Sequence, residues 1–139
     1  MKFEGIYTPL VAPFFDDFTL NHDAMQQTVD LLVNAGVHGI IVAGTTGEYY
    51  AMSMKERVYM MGVAKEMIAG RVPMIIGTGA IRTEDSVEYA RQAKLHDADA
   101  ILIATPPTPI PRVAKLRYTH LPLTARRICP RCYITIPAG

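Results

Sequence analysis

The chain has 139 residues, of which 50% are hydrophobic and 19% are charged, and its formal net charge is +1. This length fits one domain, and the composition is that of a globular protein rather than of a disordered tail or a secreted disulfide scaffold. No apolar run reaches the roughly 18 residues of a membrane-spanning helix, and residues 1–4 lack the basic start of a signal peptide, so we expect a cytoplasmic protein with no membrane partner.

The first 107 residues alternate short apolar runs with stretches of helical spacing. The apolar runs predict four strands, over residues 5–11, 39–43, 72–76 and 100–104. Three helices are predicted between the strands. The first follows an N-cap at Asn21, the second follows the capping-box residues Ser53 and Glu56, and the third follows an N-cap at Thr83.

This alternation of strands and helices predicts a parallel α/β sheet with right-handed crossovers. A doubly wound sheet and a (β/α) barrel both satisfy the pattern, and periodicity does not choose between them. A barrel of eight units takes about 250 residues, so a chain of this length corresponds to about half of one.

The carboxyl end of the second strand carries the most informative segment, Gly44-Thr45-Thr46-Gly47-Glu48. Chemistry in parallel α/β folds is placed at this end of the strands. Two glycines allow a tight turn in which backbone amides and the hydroxyls of Thr45 and Thr46 can receive a small carboxylate or phosphate. The alternative interpretation is a strand-to-loop turn that needs glycine for its geometry alone.

Other motifs carry weaker signals. Gly77-Thr78-Gly79 lacks the third glycine of a dinucleotide fingerprint. The four histidines do not have ligand spacing, and no metal site is predicted. Of the two tyrosines after the threonine turn, Tyr49 and Tyr50, one is expected to pack under the loop. The pair Cys129 and Cys132 is compatible with thioredoxin-like chemistry or half of a zinc site, without a second pair to support either.

The charge is unevenly distributed along the chain. Residues 1–107 hold eight Lys/Arg and all 13 Asp/Glu, whereas residues 108–139 hold six Lys/Arg, no acid, five of the ten prolines and both cysteines. A basic segment of this kind can be a nucleic-acid arm, but no regular alternation of aromatic residues with its charges supports this, and we expect no nucleic-acid partner. We therefore predict two parts, 1–107 and an atypical tail over 108–139.

Five motifs in order resemble the dihydrodipicolinate synthase / N-acetylneuraminate lyase family. They are Phe3-Glu4-Gly5-Ile6 with Thr8-Pro9-Leu10, Gly44-Thr45-Thr46-Gly47-Glu48, Gly70-Arg71-Val72-Pro73, Gly77-Thr78-Gly79, and Ala98-Asp99-Ala100 with Thr105-Pro106-Pro107. The resemblance covers residues 1–107 and implies the first half of a (β/α)8 TIM barrel. It also implies class I aldolase chemistry without a cofactor, in which a lysine forms a Schiff base with pyruvate or another 2-oxo acid.

The same resemblance assigns roles to the two threonines. Thr45 would act catalytically, as part of a hydroxyl relay between two tyrosines. Thr46 would bind the carboxylate of the substrate through its hydroxyl and its amide. Full-length members of the family are expected to be homotetramers.

The resemblance stops after Pro107. The relay tyrosine of the family maps to Thr108, the acid/base tyrosine maps to Ile134, and the Schiff-base lysine maps beyond Gly139. Codons for residues 108–111 can spell Tyr-Ala-Tyr-Pro when read one base earlier, and the same shift lets codons for residues 133–139 spell Leu-Tyr-Asn-Tyr-Pro-Gly-Arg. Both readings match the family, so we infer a one-base frameshift near codon 108.

The functional prediction is therefore a lyase of the dihydrodipicolinate synthase type whose chain is here a truncated, inactive fragment. The alternative is a non-catalytic half-barrel that serves as an assembly module or binds a carboxylate.

Overall fold

The computed structural model describes residues 4–104 and the backbone of residues 133–136. Strands and helices alternate from the start of the chain. Their bounds are β1 (Tyr7–Pro9), α1 (His22–Asn34), β2 (Gly39–Val42), α2 (Met54–Ile68), β3 (Met74–Gly77), α3 (Thr83–Leu95), β4 (Ala100–Ala104) and β5 (Tyr133–Ile136). None of the helices in the described residues is long and apolar enough to cross a membrane.

The strands form one parallel sheet in the order β1-β2-β3-β4-β5. A doubly wound sheet reverses its strand order at a switch point, whereas a barrel adds each new strand next to the last. The sequential order thus selects the barrel from the two architectures that periodicity left open.

The main hydrophobic core lies between this sheet and the helices. Alternate strand residues supply the sheet side of the core: Ile40 and Val42, Met74 and Ile76, and Ile101 and Ile103. The helices supply residues such as Met61 and Ala64 from α2 and Ala90 and Ala93 from α3, each at most 1% exposed. Because the side-chain period of a strand is two, the residues between these core positions face the other side of the sheet.

Local capping signals set the starts of the first two helices as predicted. The Asn21 side chain accepts a hydrogen bond from the amide of Ala24 (3.0 Å). Ser53 and Glu56 form the predicted capping box, in which each side chain accepts a bond from the other residue's amide (3.3 and 2.7 Å). Hydrogen bonding from the Ser53 side chain and from the Ser53 backbone amide lowers the pKa of the Glu56 carboxyl.

The predicted N-cap at Thr83 is wrong. Arg82 is the N-cap of α3, its carbonyl accepts the first helical bond from the amide of Ser86 (3.2 Å), and Thr83 is already helical. No side chain caps this end. Glu84 and Asp85 in the first turn place negative charge near the free amides, which favours a helix start without a capping hydroxyl.

The first three strands are shorter than the apolar runs that predicted them, the fourth has the predicted bounds, and one strand was not predicted. Strand β2 ends at Val42 because Ala43 turns into the left-handed region (φ 55°). Strand β3 begins at Met74, one residue after a proline that has no amide to donate to a sheet. The strand that was not predicted is β5, which includes Ile134 and pairs in parallel with β4.

Candidate functional site

The turn that follows β2 is the centre of the candidate site. Residues Thr45–Gly47 form a short 3-10 turn, in which Gly47 donates its amide to Gly44 (3.0 Å) and Glu48 donates its amide to Thr45 (3.0 Å). Left-handed residues stand on either side, Ala43 (φ 55°) and Glu48 (φ 53°). Gly44, between them, has an ordinary φ of −81°.

Two neighbouring strands hold this turn in place by close backbone contact. A Cβ at Gly47 would lie 2.9 Å from the carbonyl oxygen of Leu10, directly after β1. A Cβ at Gly77, the last residue of β3, would overlap the carbonyl oxygen of Ala43. Glycine at these two positions therefore lets three strand ends approach one another.

Thr45 and Thr46 lie together at this carboxyl end of the sheet, and both are exposed. The first hydrogen bond of the 3-10 turn is donated by the amide of Gly47. The amides of Thr45 and Thr46 therefore donate no hydrogen bond within the turn. The arrangement thus offers hydroxyl and amide donors on a backbone pinned by its neighbours, which suits a small carboxylate.

The next turn, Tyr49–Ala51, separates its two tyrosines as predicted. Tyr49 is half-buried and packs against the core, whereas the Tyr50 ring is 66% exposed. The rings meet edge to face with their centroids 5.7 Å apart. Tyr49 therefore fixes this loop from below, and Tyr50 remains at the surface.

Arg57 is a buried charged residue beside the candidate site that our sequence reasoning missed. It lies in the first turns of α2, is 1% exposed, and donates to the carbonyl oxygens of Gly77 (2.6 Å) and Gly79 (3.0 Å). Helical spacing does indicate that this side chain is buried, because residue 57 lies on the same face of α2 as the buried positions 60, 61 and 64. A charged residue on an apolar helix face requires buried partners.

The Gly77-Thr78-Gly79 segment has a structural role. The Thr78 amide donates to the carbonyl oxygen of Leu102 (2.8 Å), and the Thr78 carbonyl accepts from the Ser86 hydroxyl (2.8 Å). The Thr78 hydroxyl is buried and has no hydrogen-bond partner among the described residues. The segment continues β3 into α3.

None of the described lysines lies on a strand or on the turn that directly follows one. Lys55 and Lys65 belong to α2, and Lys94 belongs to α3. Lys65 donates to the carbonyl oxygen of Asp97 (2.8 Å) and contacts its carboxylate (3.3 Å) after the end of α3. Lys2 and Lys115 lie outside the described residues.

The resemblance assigns two tyrosines of the family to positions 134 and 108, and the structure describes only the first of these positions. Ile134 lies on β5 and pairs in register with Leu102, which in turn pairs with Gly77. Position 134 therefore lies in the same row of paired residues as Gly77, which contacts the turn of the candidate site. Thr108 and the Cys129–Cys132 pair lie outside the described residues.

Two cavities and the histidines lie elsewhere in the described part of the chain. A groove of about 530 Å³ runs over α2 and includes His22, Tyr59 and His96, and a smaller cavity of about 230 Å³ is lined by Phe14, Phe18 and Met60 among others. Neither is lined by Thr45 or Thr46. Within residues 4–104, no three His, Cys, Asp or Glu side chains are grouped to hold a metal ion.

Comparison with known sequences identifies one family. The model of the "Dihydrodipicolinate synthetase family" matches residues 2–109. A 4-hydroxy-tetrahydrodipicolinate synthase of Methanoculleus marisnigri is 39% identical over 106 residues, which are 75% of this chain and 36% of the relative. A protein of Escherichia coli K12 named "Probable 2-dehydro-3-deoxy-D-pentonate aldolase" is 37% identical over 105 residues, 76% of this chain and 35% of the relative. A synthase of Teredinibacter turnerae aligns over 136 residues at 34% identity, 97% of this chain and 46% of the relative.

Solved structures have the same fold. YagE of E. coli K12, a protein of the dihydrodipicolinic acid synthase family solved in complex with pyruvate, superposes with a TM-score of 0.86 at 25% identity, over 96% of this chain and 44% of that one. The N-acetylneuraminate lyase of Mycoplasma synoviae gives 0.85 at 25% identity, over 99% and 47%. The chain thus spans less than half the length of these relatives, and its sheet is the first part of their (β/α) barrel.

Proposed function

Because this chain belongs to the dihydrodipicolinate synthetase family, we propose that its first four strands carry the carboxylate-binding part of a lyase site for pyruvate or another 2-oxo acid. The observation that supports this most strongly is the turn after β2. It presents the hydroxyls and amides of Thr45 and Thr46 at the carboxyl end of the sheet, on backbone held by β1 and β3. The pyruvate in the related YagE structure supports the choice of substrate class.

The proposed chemistry divides between two threonines and groups outside the described residues. Thr46 binds the substrate carboxylate through its hydroxyl and amide, which orients the adjacent keto group. Thr45 passes a proton along a hydroxyl relay while a lysine condenses with the keto carbon to form a Schiff base. The derived enamine then adds to an aldehyde, as in a dihydrodipicolinate synthase, or forms by aldol cleavage. The names of the relatives support more than one aldehyde partner.

We propose further that a polypeptide of residues 1–139 binds the carboxylate without completing this chemistry. A Schiff base requires a neutral amine at the mouth of the sheet, where burial lowers the lysine pKa. Lys55 and Lys94 are on exposed helix surface, and Lys65 is bound to Asp97. A polypeptide that binds a carboxylate without reacting would have the alternative function, that of a non-catalytic half-barrel assembly or carboxylate-binding module.

The carboxylate site is tested by titrating the 139-residue polypeptide with pyruvate by calorimetry. We expect binding of pyruvate and no binding of acetone, which has the keto group but no carboxylate. Thr46→Val should weaken pyruvate binding at least about tenfold, because a hydrogen bond to a charged group is lost. Thr46→Ser, which keeps the hydroxyl, should bind nearly as well as the wild type.

The matched control is Thr28→Val. It removes a threonine hydroxyl that donates to the Ala24 carbonyl (2.8 Å) within α1, away from the strand ends, so pyruvate affinity should not change. Equal affinity of the wild type and Thr46→Val, or wild-type binding of acetone as strong as that of pyruvate, contradicts the proposed site.

We propose that residues 108–139 are a frameshifted tail that follows the half-barrel of residues 1–107. The break in charge at residue 108 supports this boundary, and the family-model match ends at residue 109, whereas the synthase of T. turnerae aligns across it over 136 residues. The nucleotide sequence tests it directly. We expect the register one base earlier to spell Tyr-Ala-Tyr-Pro and then Leu-Tyr-Asn-x-Pro, in that order and without a stop codon. A register without these tyrosines contradicts the frameshift.

The remaining partner assignments stay predictions. A cytoplasmic location and a homotetrameric assembly of full-length relatives come from the sequence and from the family resemblance, as does the absence of a nucleic-acid partner. The absence of a cofactor is implied by the same family resemblance and also stays a prediction.

A further inference from the structure

The guanidinium of Arg57 is buried without a carboxylate among its described partners. Its terminal nitrogens donate to the carbonyl oxygens of Gly77 and Gly79, and its Nε has no hydrogen-bond partner among the described residues. Burial lowers the pKa of the group below its ordinary value, but an arginine keeps its charge at neutral pH. Groups other than a carboxylate must therefore compensate the cost of burying this positive charge.

Two aromatic rings and two carbonyl dipoles compensate the charge. The central guanidinium carbon lies 3.9 Å from the ring centroid of Tyr89 and 4.4 Å from that of Tyr49. Both distances are in the range of cation–π attraction, which strengthens when the partners are desolvated. Tyr89 belongs to α3, and Tyr49 belongs to the loop that continues the Thr45–Gly47 turn.

These contacts connect the two loops that form the candidate site. Through Tyr49 the cation reaches the loop after β2, and through the carbonyls of Gly77 and Gly79 it reaches the loop after β3. The same two loops touch where Gly77 meets the carbonyl of Ala43. One side chain on α2 therefore constrains both sides of the contact that supports the threonine turn.

We propose that Arg57 is a positioning residue that locks the loops after β2 and β3 in the geometry that receives the substrate carboxylate. This proposal rests on the proposed function for its ligand, although the coupling of the two loops can be measured without one. Arginine suits the position because its planar fork can donate to two carbonyls while its faces stack on two rings. A lysine at this position would keep the charge and lose both features.

The test compares Arg57→Met with Arg71→Met in the 139-residue polypeptide. Arg71 is a matched control because it also donates to two carbonyls, of Met67 (2.7 Å) and Ile68 (3.2 Å), and pairs with Asp30 (2.7 Å). It lies after the end of α2, at the opposite end of the sheet from the threonine turn. Both variants remove a guanidinium from α2 or its end, but only Arg57→Met removes it from the candidate site.

Amide hydrogen exchange is the first measurement. Arg57→Met should speed exchange at least about tenfold in residues 45–51 and 77–80, since both loops lose a common anchor. Arg71→Met should leave these two loops unchanged. Arg57→Lys, which retains a buried cation, should fold and exchange at an intermediate rate in the same loops.

Pyruvate affinity is the second measurement. Arg57→Met should bind pyruvate about fivefold more weakly, because the site is no longer preorganised, while Arg71→Met should bind as the wild type does. Unchanged exchange in either loop overturns the coupling, as does an equal effect of the two methionine variants. Faster exchange with unchanged pyruvate affinity overturns the positioning role. Failure of the wild type to bind pyruvate refutes the proposed function, and the exchange result still decides the coupling.

Discussion

Gly77→Ala should destabilise the chain by about 3 kcal/mol, which is a large share of the stability of a small domain. A Cβ at Gly77 would overlap the carbonyl oxygen of Ala43 and lie 2.9 Å from its carbonyl carbon. These are backbone atoms, so no side chain can rotate away to make room. Relief requires β2 and β3 to separate, at the register where Val42 pairs with Ile76.

Gly44→Ala is the control for this substitution. It lies on the other side of the same contact, yet its added Cβ would meet only the side chain of Ile41 at an ordinary 3.5 Å, and its φ of −81° suits alanine. We expect a change of less than about 1 kcal/mol. Urea unfolding followed by circular dichroism measures both variants. A similar loss in the two alanine variants would show that the contact between Gly77 and Ala43 does not hold the strand ends together.

Much of the fold could be predicted because its signals are local. The capping box of Ser53 and Glu56 needs only residues three positions apart, and the apolar run over 39–43 marks a buried strand by itself. The choice between a barrel and a doubly wound sheet could not be made from periodicity. Strand order depends on pairings between residues about 25 to 35 positions apart, such as Ile41 with Ile75, which leave no repeating pattern.

The candidate site was predicted in part for the same reason. Thr45 and Thr46 stand out because two glycines flank them at the end of a strand, and the structure brings them together at the expected edge of the sheet. Their supports were missed. The carbonyl contacts of Arg57 join residues 20 and 22 positions apart, and a charged letter in the sequence does not show that its side chain is buried.

Within the turn, the left-handed backbone angles fall on Ala43 and Glu48 and not on the two glycines. Gly47 is explained by its approach to the carbonyl of Leu10, a contact with another strand. A glycine can thus be required by a neighbour's position as well as by its own φ, and only the first requirement is invisible in the local sequence.

The second large effect concerns covalent chemistry. A family lyase that forms a Schiff base with pyruvate becomes permanently labelled when borohydride reduces the imine to an amine. In the 139-residue polypeptide, the described lysines lie on helices, and Lys65 is bound to Asp97, so none of them is a buried amine at the carboxyl ends of the strands. We expect complete loss of labelling although pyruvate still binds.

The most direct measurement is mass spectrometry of the 139-residue polypeptide after incubation with pyruvate and borohydride, beside the full-length synthase of M. marisnigri as the reactive control. We expect the control to gain one reduced pyruvyl group and the mass of the polypeptide to stay unchanged. A stoichiometric pyruvyl adduct on the polypeptide, lost in Thr46→Val and mapped to one of its own lysines, would contradict this expectation.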